Sequence, residues 1–157
     1  TIVEDYVKSL KEPVKEVEAI TNISKEYIPT IFNIGDEVTS GDFKWKFTNV
    51  TTKSQIGDYI SREADGEFLI LDVEVENIGS SAQLLKNSLI KLIDNQGREF
   101  SADIKYYDVK PEAIIFDTIN PGIVKKGKIV FDVPKNLNDL KIKINSNKGN
   151  IFDYIKI

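Results

Sequence analysis

Hydrophobic and polar residues alternate along much of the chain after residue 30. Phe43, Trp45 and Phe47 alternate with polar residues, and the same period of two recurs over residues 69–75 and 129–133. A period of two is typical of β-strands that bury one face. The sequence therefore predicts a shared apolar face built from these strands. The residues predicted to form the core of that face are Trp45, Leu71, Val73, Phe131 and Val133.

Turn signals separate the predicted strands. Residues 120–122, Asn-Pro-Gly, combine a proline that sets φ with a glycine suited to a left-handed position. Residues 94–97, Asp-Asn-Gln-Gly, predict a hairpin turn. Residues 113–119 are among the predicted strands, whereas 54–67 and 103–113 are predicted loops. Eight or nine short strands with no helical pattern among them predict an antiparallel β-sandwich or barrel over residues 30–157.

Residues 1–29 follow a different period and are predicted to be a separate helical segment. Their apolar seam has steps of four and three residues, which is the spacing of a helix face. Pro13 interrupts it, which favours two pieces, about 2–11 and 13–27. The segment is expected to pack on the sandwich; the alternatives are self-association, a partner helix or a stalk to an anchor. A monomer is favoured over a homodimer, because the seam is short and broken. The seam consists of Val3, Val7, Leu10, Val14 and Val17.

Composition narrows the possible chemistry. The chain has no Cys, which excludes disulfides, thiolate nucleophiles and zinc-thiolate sites. It has no His, so the usual general base and the commonest transition-metal ligand are missing. The net charge of -4 argues against nucleic-acid binding, which requires a basic face. No metal or cofactor is expected. The chain starts at Thr1 without an initiator Met, so an upstream segment such as a signal peptide or lipoprotein leader is expected to have been removed.

Four stretches, taken in order, resemble a known family. They are IGDEVTSGDFKWKFTNV, GEFLILDVEVENIGSSAQLL, IKLIDNQGREF and INPGIVKKGKIVFDVP. The family is the immunoglobulin-like domain of unknown function found in bacterial and archaeal extracytoplasmic lipoproteins, related in fold to the secreted mycobacterial immunoprotective antigen. The resemblance covers about residues 33–157. It implies an immunoglobulin-like two-sheet sandwich and an extracytoplasmic location, often with a lipid-anchored N-terminus, and it carries over no catalytic residues.

Candidate contact residues lie in the two predicted loops. Tyr106 and Tyr107 are adjacent, and tyrosine offers rigid amphipathic area at a low entropic cost. The alternative is that one of them packs beneath the loop. Tyr59 and Arg62 are further contact candidates in residues 54–67.

The same segment also contains four acidic residues that could surround a hard cation. Their spacing does not fit an EF-hand loop, so solvated loop carboxylates are the favoured interpretation. These residues are Asp58, Glu63, Asp65 and Glu67.

No local signature of a nucleophile or an acid–base pair occurs in a suitable context, so an enzyme is not expected. The leading hypothesis is a non-enzymatic interaction module at the cell surface, with a protein partner and with membrane attachment only through an upstream anchor. The alternative is a protease-inhibitor-like or regulatory β-sandwich with a presented loop.

Overall fold

The protein is described by a computed structural model over residues 27–108 and 112–157. The helix seam predicted at Val3, Val7, Leu10, Val14 and Val17 lies outside these residues. Two short 3-10 helices, Asn87–Leu89 and Ile104–Asp108, interrupt an otherwise all-β chain in the described ranges. Neither is long and apolar enough to cross a bilayer. The strands are β1 (Ile31–Asn33), β2 (Glu37–Ser40), β3 (Phe43–Ile56), β4 (Arg62–Asn77), β5 (Gln83–Leu84), β6 (Ile90–Ile93), β7 (Glu99–Ser101), β8 (Thr118–Ile119), β9 (Val124–Val133), β10 (Lys141–Asn145) and β11 (Phe152–Lys156).

The strands form a sandwich of two main sheets. One sheet has the order β1-β11-β10-β6-β7, the other has the order β2-β3-β4-β9, and β5 and β8 form a small two-stranded sheet. β1 runs parallel to β11, whereas the other adjacent strands are antiparallel. The all-β sandwich predicted from the alternating pattern is therefore confirmed.

The main core lies between the two sheets and unites residues from both. Trp45, Leu71 and Phe131 of the four-stranded sheet share one buried cluster with Ile142 and Ile155 of the five-stranded sheet. All five residues predicted to form the core are buried, each at 3% exposure or less. The period of two thus identified the inward face correctly, because alternate side chains of a strand point to opposite sides of its sheet.

The two predicted turns are also confirmed. Gly122 has a φ of 76°, and its N–H donates to the carbonyl oxygen of Asn77 at 2.8 Å. Gly97 has a φ of 78°, and its N–H donates to the Asp94 carbonyl oxygen at 3.1 Å, which closes the hairpin between β6 and β7. Both positions lie in the left-handed region that glycine adopts without a steric penalty.

Two local predictions are wrong. Residues 113–119 were predicted as one strand, but only Thr118–Ile119 is a strand, and Phe116 turns the chain with a φ of 73°. The neighbouring side chains of Ile114 and Ile115 are both buried, so this segment does not alternate. Residues 54–67 were predicted as a loop, but β3 and β4 remain paired beyond residue 54. Gln55 of β3 still pairs with Glu63 of β4, and the loop is limited to residues 57–61. Backbone hydrogen bonds continue this hairpin although residues 51–55 of β3 are exposed and only Ile56 of this stretch is buried.

A second buried cluster covers part of the opposite face of the four-stranded sheet. Phe68 and Ile70 of β4 and Val130 of β9 contact Tyr106 and Ala113 there. The segment that contains the 3-10 helix Ile104–Asp108 therefore lies over the outside of the sheet. This arrangement positions the base of the β3–β4 hairpin, because Ile56 also belongs to the cluster.

Candidate protein-contact site

The tip of the β3–β4 hairpin, residues 57–61, displays two large hydrophobic side chains. Tyr59 is 103% exposed and Ile60 is 70% exposed. Tyr59 was a contact candidate from the sequence, whereas Ile60 was missed. The signal that could have identified Ile60 is its position beside Tyr59 in a polar stretch. A hydrophobic residue in such a stretch lies outside the alternating pattern of the core strands and is expected to be exposed.

Gly57 allows the tip to turn tightly. Its φ is 101°, and a Cβ built there would lie 1.8 Å from the carbonyl oxygen of Ile60. That oxygen belongs to the backbone and cannot rotate away as a flexible side chain could. The conformation that presents Tyr59 and Ile60 therefore requires glycine at position 57.

Arg62 ties the base of the hairpin to the rest of the domain. Its Nη1 donates to Asp103 Oδ1 at 3.2 Å, and its Nη2 pairs with Asp103 Oδ2. The guanidinium carbon also lies 5.1 Å from the centre of the Phe68 ring, within the range of a cation–π contact. The Arg62 side chain is 25% exposed, so most of it is engaged within the domain. Its main action here is to position the hairpin.

Tyr106 is corrected from a contact residue to a packing residue. Its side chain is 3% exposed because it covers the apolar outer face formed by Phe68 and Ile70. Burial, followed by the negative charges of Glu112 and Asp72, raises the pKa of Tyr106 to about 12. This is the alternative in which one tyrosine of the pair packs beneath the loop. The side chain of Tyr107 lies outside the described residues.

A cleft of about 770 Å³ lies beside the hairpin base, lined by residues of the segments 62–66, 102–105 and 132–134. Two of its carboxylates, those of Asp103 and Asp132, have internal partners. Asp132 accepts hydrogen bonds from the backbone N–H groups of Asp65 and Gly66, at 2.8 Å and 2.9 Å. Asp103 accepts from Arg62 and from the N–H of Lys105. These bonds connect β4, β9 and the 102–105 segment, so Asp103 and Asp132 join these elements to one another.

The acidic residues of segment 54–67 do not assemble into a metal site. Over the residues that the structure describes, no three carboxylates come close enough together to hold a metal ion. This region is instead a hairpin whose base contacts the rest of the domain and whose tip exposes two large hydrophobic side chains. Tyr59 and Ile60 are therefore available for burial against a partner, and the base of the hairpin that carries them is anchored by Arg62 and Ile56.

The comparison with protein families agrees with this fold. The family described as a domain of unknown function, DUF4352, matches residues 32–152. The chain belongs to this family. A comparison with curated protein sequences gives no significant match.

Several solved structures share the fold of this DUF4352 chain. The yjhA protein from Bacillus subtilis is 18% identical with a TM-score of 0.63, and the match covers 80% of this chain and 98% of that one. MPT63, a secreted protein from Mycobacterium tuberculosis, is also 18% identical, with a TM-score of 0.62 and coverages of 83% and 98%. A predicted lipoprotein from Bacillus subtilis, ycdA, is 22% identical with a TM-score of 0.56, over 77% of this chain and 38% of its own. At these identities the likeness is one of fold alone.

Proposed function

We propose that this DUF4352 domain is a non-enzymatic extracytoplasmic interaction module that contacts a protein partner through its β3–β4 hairpin tip. The observation that carries the proposal is the exposure of Tyr59 and Ile60, at 103% and 70%, on adjacent positions of the tip. Exposed tyrosines are enriched in contact surfaces, because the ring combines apolar area with a hydrogen-bonding group.

The structure around the tip supports this role. Gly57 defines the turn, Arg62 joins the hairpin to Asp103, and Ile56 packs in the second core cluster. A loop held in this way loses little conformational entropy on binding.

The immunoglobulin-like description of the sandwich is also part of the proposal, supported by two face-to-face sheets of four and five strands. An experimental structure with a strand order foreign to immunoglobulin folds would refute it.

The extracytoplasmic location is supported by relatives of the same fold. MPT63 is described as secreted and ycdA as a predicted lipoprotein. The test is expression of the complete gene with a C-terminal tag in its native host, followed by protease treatment of intact cells. Digestion or release of the tagged protein while a cytoplasmic marker stays intact is expected. Protection until the cells are lysed would contradict the location.

The contact itself is tested with a photo-crosslinking amino acid at Ser61, the tip residue next to Ile60, and at Gln96 in the distant β6–β7 turn as a matched control. Cells that express the full-length protein should give a defined adduct from position 61 and not from position 96. The substitutions Tyr59→Ala and Ile60→Ser, in the position-61 background, should remove that adduct while the protein remains folded. An adduct that survives both substitutions would refute the role of the tip.

A protease-inhibitor-like role is the second candidate, favoured by the full exposure of Tyr59 at the tip of a hairpin whose base is anchored. Proteases of chymotrypsin-like specificity have a hydrophobic slot that accepts such a side chain. Incubation of the full chain with a protease of this class separates the possibilities. Lasting inhibition that is lost in Tyr59→Ala would support the inhibitor. Rapid cleavage at the tip without inhibition would eliminate it and leave the interaction module.

A further inference from the structure

The outer face of the five-stranded sheet carries an unbalanced positive charge. Strand pairing places Lys91, Lys143 and Tyr154 on one rung, and Lys141 and Lys156 on the next. Among the residues of these five strands, Glu99 is the acid that shares this face, and it pairs with Lys143 at 2.9 Å. The outer face thus carries four lysines and one carboxylate, although the whole chain has a net charge of -4.

The other sheet shows that this imbalance is specific to one face. On the four-stranded sheet, the rungs that pass through Asp72, Glu74 and Glu76 each place a lysine opposite the carboxylate. The Lys126–Glu74 and Lys44–Glu76 pairs lie at 2.9 Å, and Lys128 pairs with Asp72. These charges satisfy one another. The lysines of the five-stranded sheet lack such a set of acids on their own face.

Aromatic and aliphatic side chains lie between these lysines. Lys143 Nζ is 4.5 Å from the centre of the Phe152 ring, and Lys141 Nζ is 5.7 Å from that of Tyr154. Ile31, opposite Tyr154 on β1, is 58% exposed. The surface therefore suits a segment that is both apolar and acidic, since Lys stems and aromatic rings offer apolar area between the cationic heads.

The chain itself approaches this surface at its first described residue. The Tyr27 ring lies 6.2 Å from the Phe152 ring in an edge-on arrangement. Its hydroxyl donates to Asp153 Oδ1 at 2.5 Å, and the N–H of Thr30 donates to the same oxygen at 3.1 Å. Tyr27, which follows residues 1–26 in the chain, therefore lies at the β1–β11 edge of the basic face.

We propose that residues 1–26 of this chain dock on the outer face of the five-stranded sheet of the same molecule. The segment contains six acidic residues and four lysines, together with the apolar seam from Val3 to Val17. Its acids supply the charge that the face lacks, and its seam covers Ile31 and the aromatic rings. A short amphipathic helix needs such a partner surface, because alone it is marginal in water.

The dimensions are compatible. Five strands span four inter-strand spacings, or about 19 Å at about 4.8 Å each. A helix over residues 13–27, as the sequence predicts, is about 22 Å long at about 1.5 Å per residue. A helix that starts from the Tyr27–Phe152 contact can therefore cross from β1 towards β6 and β7, with residues near position 15 at the far edge.

The chain has no Cys, so a single engineered cysteine gives a unique site for a spin label. The test uses the full ¹⁵N-labelled chain with Lys15→Cys carrying the label, and it measures the loss of amide signal intensity by NMR. Docking predicts intensity loss at Lys91 and Glu99, on the side of the sheet far from Tyr27. A segment that is only tethered would give losses that are largest near Tyr27 and Phe152 and that fall off with distance from Tyr27 in all directions, on both sheets alike. That result would overturn the proposal.

Two further arms make the result decisive. The first arm mixes spin-labelled chains that contain no ¹⁵N with ¹⁵N-labelled chains that carry no spin label. The Lys91 signal must then keep its intensity; broadening in the mixture would mean that a second copy occupies the face. The second arm removes positive charge with the substitutions Lys141→Gln and Lys156→Gln, which should reduce the loss of signal intensity at Lys91. The matched substitutions Lys44→Gln and Lys126→Gln on the balanced face should not reduce it. Equal effects of the two pairs, or broadening centred on β3 and β4, would also overturn the proposal.

Discussion

Replacing Leu71 with alanine tests whether the inner face of β4 supplies the main stability of the sandwich. Leu71 is 0% exposed and lies in the main core cluster. It is paired with Val50 on β3 and with Ile129 on β9, so both neighbouring strands surround it. The substitution removes three carbon atoms and leaves a cavity in the core between the two sheets.

The cost has two parts. Transfer of three methyl or methylene groups contributes about 2.4 kcal/mol at about 0.8 kcal/mol each. The cavity adds to this, because the paired strands limit how far the surrounding residues can move into the space. We therefore expect Leu71→Ala to lower the free energy of unfolding by about 3–5 kcal/mol.

The measurement is equilibrium denaturation in urea, with the slope of the transition compared between variants to ensure that the denatured state is unchanged. Leu84→Ala is the matched control, since Leu84 is 42% exposed on the short strand β5 and should cost about 1 kcal/mol or less. If Leu71→Ala cost no more than Leu84→Ala at equal slopes, the assignment of the core would be refuted.

Four further substitutions test local features. Gly35→Ala should cost about 1–2 kcal/mol for its positive φ alone, because no atom lies within 4 Å of the added Cβ. Gly57→Ala should cost more in the same urea titration, because its Cβ meets a backbone oxygen; equal losses would contradict this. Asn77→Asp should cost at least about 2 kcal/mol, because the buried amide donates to two carbonyl oxygens at 2.8 Å, and a smaller loss would contradict that role. The pKa of Tyr106 is raised from 10.0 to about 12, so the folded state retains a proton that the unfolded state releases, and stability should fall between these pH values. Tyr106→Phe should reduce that alkaline loss in urea titrations across the window, and an unchanged loss would assign it to other groups.

The candidate site was only partly predictable from the sequence. Tyr59 was a contact candidate, a tyrosine in a predicted loop, and the structure leaves it fully exposed. Tyr106 met the same criterion, yet it is buried against Phe68 and Ile70. Local composition does not distinguish the two tyrosines. The difference arises because residues 103–113 lie over an apolar part of the sheet, whereas the hairpin tip extends past it.

The sequence by itself determined the strands with one buried face and the turns that need proline or glycine. Leu71 and Val73 are buried because alternation along a strand is a local property, and Gly122 turns the chain because its left-handed φ depends on its own backbone. Tertiary structure decided which strands pair and what covers each face. The parallel pairing of β1 with β11 joins residues more than a hundred positions apart, and no local pattern specifies such a contact. The charge of each outer face was also decided by tertiary structure, because strand order sets which charged side chains become neighbours. Ion pairs balance the outer face of the four-stranded sheet, whereas that of the five-stranded sheet is basic.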